Sequence, residues 1–309
     1  MSSAYPEPSK QPINGRNGVY RLSSGDTDAW VLFDHSIWVE PIHQFVVGVP
    51  DSTIAELLEQ HFSPSNRLQF SSDPLLFRWA GETVLVDTGI GTQLPGDGGL
   101  LPQQLAALDI RPEEISVVLM THLHVDHIGG AFDPASGRVT FPNARFLISE
   151  TEINFWSQSP LDLGDVRELP QQIIDLTTQC AGRALSILEK QIRPFKPESE
   201  LLPGITAIAL PGHTPGHSGF LFNSSAGQFL AAGDAMHDPI LHLAHPEWAS
   251  MGDWSRAQTG KTRRKLLDVL ARDRIRFQAF HFPFPGVGRV RAIPDAAYEF
   301  VPETRWWDS

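Results

Sequence analysis

Hydrophobic and polar positions alternate most clearly around residue 80. The apolar-rich runs 75–79 and 82–87 flank Ala80-Gly81, which predicts two strands joined by a tight turn. Residues 29–33 predict an earlier strand. The stretch 51–61 sets Ile54, Leu57 and Leu58 on one face and begins with Asp51, the pattern of a capped helix. Downstream, short apolar runs at 117–120, 145–148, 205–210, 220–222, 229–232 and 275–280 predict further strands. Helices are expected over 103–108, after Ser149 or Thr151 as cap, and over 171–188, where Ile173, Ile174, Leu176, Leu185 and Leu188 recur at helical spacing. A last helix over 262–271 sets Leu266, Leu267, Val269 and Leu270 against Lys261, Arg263, Arg264 and Lys265, which read as a solvated basic face. This alternation predicts an α/β chain. Residues 1–18, with Pro6, Pro8, Pro12, Gly15 and Gly18, are expected to form a flexible N-terminal arm ahead of one domain over 19–309.

The strand at 117–120 runs into Thr121-His-Leu-His-Val-Asp-His-Ile-Gly-Gly130, which packs His122, His124, Asp126 and His127 into six positions. Imidazole and carboxylate groups this dense at a strand end are the ligand types of zinc and similar cations. Residues two apart in extended chain point the same way, so His122 and His124 suit one ion. Asp126 and His127 follow the turn and suit a second. Two metals activate water and stabilise developing oxyanions in hydrolysis. Three later strand ends each present one more ligand: His213 in Pro211-Gly-His-Thr-Pro-Gly-His217, Asp234 after 229–232, and His281 after 275–280. His217 is expected to support rather than bind, and Asp87 to orient a metal-bound histidine or cap a turn. His35, His43, His61, His242 and His245 lack motif context. Trp156, Phe282 and Phe284 are candidates for an apolar pocket. The glycine-rich stretch 91–101 lacks the Gly-x-Gly-x-x-Gly or Gly-Lys-Ser/Thr order of a phosphate loop and reads as a loop near the site.

His122-x-His124-x-Asp126-His127, then His213, Asp234 and His281, preceded by Thr83-Val-Leu-Val-Asp-Thr-Gly89, resembles the metallo-β-lactamase fold superfamily over roughly residues 75–281. The resemblance implies an αββα sandwich of two mixed sheets flanked by helices, with metals at one open edge. It implies two zinc ions, with manganese, cobalt or iron as substitutes. His122, His124 and His213 would bind the first ion and Asp126, His127 and His281 the second, with Asp234 bridging. True class B β-lactamases use a cysteine or lack the bridging aspartate, whereas Cys180 stands apart from every motif. Flavodiiron proteins carry Glu where His124 stands, and the basic glutathione-binding stretch of glyoxalase II is missing. Residues 233–237 and 279–286 are similar instead to the methyl parathion hydrolase and quorum-signal lactonase branch. Lactonases there often carry Tyr three residues after the bridging Asp; here it is His237. The implied catalytic residues are Asp126 and Asp234, as proton acceptors, and His237. The implied activity is hydrolysis of a lactone or aryl ester, with organophosphate triesters as side substrates. A mononuclear-iron persulfide dioxygenase type and a binding or signalling protein with vestigial activity are the alternatives.

Composition narrows the partners. With 36 acidic and 24 basic residues the net charge is −12, which argues against nucleic acid and anionic membranes. The single cysteine fits a reducing compartment. Neither a signal peptide nor a run of about 18 apolar residues is seen, so a cytoplasmic location is expected. The partner expected is a small apolar molecule, with homodimerisation left open.

Overall fold

The computed structural model describes residues 18–22, 27–94, 98–294 and 297–303; the expected N-terminal arm, save Gly18, lies outside them. Two seven-stranded mixed sheets form the body. The first runs in space Val19–Leu22, Ala29–Leu32, Leu75–Trp79, Glu82–Val86, Val117–Leu119, Arg145–Ser149, Ile192–Phe195. The second runs Glu200–Leu202, Ile205–Ala209, Ser218–Ser224, Gly227–Ala231, Arg276–Gln278, Val287–Ala292, Tyr298–Pro302.

The period-2 rule of strands explains the layering. Leu75, Phe77, Trp79, Val84, Val86, Val117 and Leu119 point between the sheets and meet Ile205, Ala207, Phe220, Phe222 and Phe229. Phe77 and Phe222 stack at 4.1 Å across this seam. The alternate residues Leu76, Leu85 and Val118 face outward and are covered by helices Leu101–Ala107 and Gln171–Ile187. Helix Arg256–Asp273 covers the second sheet through Leu266, Leu267 and Leu270. The result is the αββα sandwich. A two-stranded sheet, His35–Val39 with Leu68–Ser72, and helix Asp51–Gln60 form a smaller apolar cluster with Leu241.

Several expectations are corrected. Arg263 is not solvated: it is fully buried and donates to the carbonyls of Ala235 at 2.7 Å, Pro246 at 3.0 Å and Trp248 at 2.6 Å. It sits three, four and seven positions before Leu266, Leu267 and Leu270, which puts it on the same helix face as those leucines. Helix 51–60 has Pro50 at its N-cap with no side-chain cap bond, and Asp51 lies in its first turn, where a carboxylate favours the helix dipole. The strands at 19–22, 35–39, 68–72, 192–195, 200–202, 287–292 and 298–302 went unpredicted.

Candidate metal centre

Site residues gather where the strands of both sheets end. Glu82–Val86 and Val117–Leu119 pair in parallel, and their ends deliver Asp87 and the His122–His127 segment. Gly227–Ala231 and Arg276–Gln278 also run parallel and deliver Asp234 and His281 to the same edge. Gly233, before Asp234, has φ +52, and a Cβ there would lie 2.6 Å from His217 Nε2. Only glycine lets the chain turn so close to that ring. His124 takes the N-cap position of the short helix Val125–Ile128, so Asp126 and His127, inside the helix, project away from it.

All seven predicted ligands come together, in overlapping groups. His122, His124, His213 and Asp234 offer donor atoms within 4.8 Å of one another, as do Asp126, His127 and His281, and also Asp234, His237 and His281. Asp234 lies between them: Oδ2 is 3.2 Å from His213 Nε2 and 3.1 Å from His281 Nε2, and Oδ1 is 3.2 Å from His127 Nε2. Asp126 Oδ2 is 3.4 Å from His281 Nε2.

Second partners fix the imidazoles. His127 Nδ1 donates to Asp87 Oδ2 at 2.8 Å, His281 Nδ1 to the Ser71 carbonyl at 2.8 Å, and His213 Nδ1 to Asp253 Oδ1 at 3.0 Å. Thr121 gives its hydroxyl proton to Asp87 and so accepts from His122 Nδ1 at 3.1 Å. With Nδ1 engaged in this way, each of these four rings would, on losing any proton from Nε2, offer an Nε2 lone pair inward, the arrangement that orients metal ligands. Among the described residues, His122 Nε2, His127 Nε2 and Asp234 Oδ1 are buried and find no hydrogen-bond partner. Buried polar atoms are nearly always satisfied, so three orphans converging on one point fit a cation.

The electrostatics agree. Burial alone would raise the Asp234 pKa, but the His127 and His281 imidazoles hold it well below the usual carboxylate range. Burial works against charge on His213 too, yet hydrogen bonds to Asp234 and Asp253 push its pKa up to about 9. His122 and His124 are held neutral by burial. Acidic groups here demand positive charge from protons or from a metal, and metal binding displaces the protons.

Asp87 therefore orients, as one of its two expected roles had it. His217 accepts from the Asp234 backbone N–H at 2.9 Å and donates to the Leu210 carbonyl at 3.0 Å, holding the strand end. Burial depresses the His237 pKa to about 4, so its ring is neutral at pH 7. Sequence reasoning missed Asp253 and Phe280, whose ring stacks on His127 at 3.9 Å.

A cavity of about 800 Å³ opens over the centre, with His124, Asp126, His213, Asp234, His237 and His281 among its lining residues. Its walls are mainly apolar and include Ile37, Phe45, Phe70, Trp156, Ile173 and Trp254. Trp156 is a pocket residue as expected. Phe282 is instead fully buried behind the second sheet, and Phe284 packs between the sheets, edge-on to Phe33.

The model of the metallo-beta-lactamase superfamily matches residues 70–274. The uncharacterized protein YobT of Bacillus subtilis is 29% identical over 193 residues, 60% of this chain and 74% of that one. An N-acyl homoserine lactonase from a Bacillus species is 25% identical over 174 residues, 50% of this chain and 59% of the lactonase. The solved structure of AidC, a dizinc quorum-quenching lactonase bound to a product, superposes with a TM-score of 0.88 at 24% identity, covering 94% of this chain and 98% of AidC. No helix among the described residues is long and apolar enough to cross a membrane.

Proposed function

Because the chain belongs to the metallo-beta-lactamase superfamily, we propose that it is a dinuclear zinc hydrolase of lactones or aryl esters that carry an apolar acyl group. The observation that carries this reading is a donor set divided into two groups that Asp234 separates by a few ångströms. His122, His124 and His213 would hold one ion, Asp126, His127 and His281 the other, and Asp234 both. When bound, a metal pair lowers the pKa of a water molecule toward neutrality and stabilises oxyanion charge.

The chain's own groups have separate tasks. Asp126, partly exposed beside the cavity, and Asp234 are the carboxylates among the donor groups and would accept a proton from a water held there. His237 lines the cavity beside Asp234, with Nε2 3.4 Å from its Oδ2. It is placed to donate a hydrogen bond to a substrate carbonyl oxygen and, once it has taken up the proton released by the attacking water, to pass that proton to the leaving group. The apolar walls would take the acyl part and exclude water. Binding sites for small ligands are commonly concave, mostly apolar and furnished with a few polar groups of this kind. The Bacillus lactonase and AidC support a lactone as substrate, and phosphotriesters remain a proposed side activity.

A panel of acyl lactones, aryl esters and phosphotriesters, assayed with zinc-loaded protein, tests the reading. Saturable turnover is expected on lactones or aryl esters, with kcat/KM rising as the acyl group lengthens. Turnover of every compound at the rate of chelator-stripped protein contradicts it.

A further inference from the structure

Glu152 stands in the first turn of the short helix Glu150–Trp156 and is fully buried, and among the described residues its carboxylate makes no ion pair. Its carboxylate accepts four hydrogen bonds. One oxygen takes the Leu123 backbone N–H at 3.0 Å and Trp156 Nε1–H at 2.7 Å; the other takes the Thr214 hydroxyl at 2.6 Å and the Gly216 N–H at 3.1 Å. A carboxylate has about four lone-pair sites, so its capacity is used in full.

The origin of the donors gives the arrangement its meaning. Leu123 lies between His122 and His124, and Thr214 directly follows His213. One side chain therefore ties together the two loops that carry three of the four residues in the first donor group. The loops are pressed close: a Cβ on Gly216 would fall 2.2 Å from the Glu152 backbone nitrogen, so only glycine fits there. The fourth donor, Trp156, lines the cavity and sets its ring edge-on to His124 at 5.8 Å.

We infer that Glu152 is a positioning residue: it holds the loops of His122, His124 and His213 in register for one metal ion and fixes the Trp156 wall beside that ion. The inference rests on the dinuclear reading proposed above. A glutamine in its place keeps the shape but offers one acceptor oxygen and an NH₂ group. Whichever way the amide turns, a backbone N–H, of Leu123 or of Gly216, then faces a donor. A buried donor left without its acceptor disfavours the native loop positions.

Chelator competition on zinc-loaded protein, together with the visible absorption of the cobalt-substituted form, decides the matter. Glu152→Gln is expected to weaken one of the two zinc ions by about 10–100-fold, the usual effect of removing a group that orients a ligand. The other ion should keep wild-type affinity, and the cobalt spectrum should change. Should the Gln variant fail to fold by circular dichroism, Thr214→Val, which keeps the carboxylate, is expected to weaken the same ion by a smaller factor. A folded Glu152→Gln protein, or Thr214→Val in its stead, with both wild-type affinities and an unchanged cobalt spectrum overturns the inference. A wild-type protein that binds one ion overturns the dinuclear reading instead, and the variant's affinity for that ion still decides the role of Glu152.

Discussion

His237 has two ring nitrogens in different surroundings. Nε2 faces Asp234, whereas Nδ1 is buried with no hydrogen-bond partner, and the backbone N–H is held by His242 Nδ1 at 3.0 Å. The backbone is thus held while the ring lines the cavity. His237→Ala should lower kcat by about 10–100-fold while metal content stays at the wild-type level, since general acid groups contribute on the order of 10²–10⁴. The loss should be larger on esters with poor leaving groups. Equal losses on good and poor leaving groups would remove the proton-donor role. At this scale the sequence was most legible where residues crowd together. The run His122 to His127 declares itself through density alone. Asp253 and Glu152 do not, because each lies far along the chain from the groups it serves: 40 residues from His213 for Asp253, and 29 and 62 from Leu123 and Thr214 for Glu152. A glutamate in the first turn of a helix reads as an ordinary response to the helix dipole.

Helix Arg256–Asp273 shows how an element can be found and its face misjudged. Its leucines were legible, but a charged residue among Lys261, Arg264 and Lys265 reads as surface. Arg263 is buried because its guanidinium closes three carbonyl groups at the ends of loops and lies 3.9 Å from the Asp253 carboxylate. Asp253 in turn holds His213, so this helix is linked to the metal centre through two side chains. Arg263→Met keeps much of the volume but leaves three carbonyls without their donor and removes the cation 3.9 Å from the buried Asp253 carboxylate. The expected cost is about 3–5 kcal/mol in urea unfolding, the range for breaking a buried charge pair from one side. A cost below about 1 kcal/mol would return Arg263 to the solvated face. Among strands, the 75–86 hairpin was legible from its alternation and its Ala-Gly turn. His35–Val39 and Leu68–Ser72 were not: the first ends at Glu40-Pro41, and the second mixes serines into its buried face. Their pairing comes from tertiary packing on Leu241 and Phe45, which local pattern does not record.

Across the whole molecule, one buried carboxylate holds both flanks of the glycine-rich stretch, whose residues 95–97 lie outside the described ones. Asp34 accepts the N–H groups of Ile90 and Leu101 at 2.8 Å each, so it closes both ends of the segment between them. Burial pushes its pKa up from 3.8 to about 6, against those hydrogen bonds and with help from Asp126. A folded-state pKa above the unfolded one means that the group's contribution to stability is complete below about pH 4. It is lost as pH rises through about 6. Asp34→Asn lacks this titration. Relative to wild type, the variant should therefore gain about 2–3 kcal/mol in urea unfolding between pH 4 and pH 7. A constant difference across that range would contradict the assignment.

The sandwich brings strand ends from two sheets to one edge, and the proposed activity depends on what collects there. Elemental analysis of protein refolded or purified with excess zinc and then freed of loose metal tests this most directly. Two ions per chain, with lactone or aryl ester hydrolysis lost on chelation and restored by zinc, is the predicted result. One ion per chain with full hydrolysis, or hydrolysis that persists in metal-free protein, would contradict it.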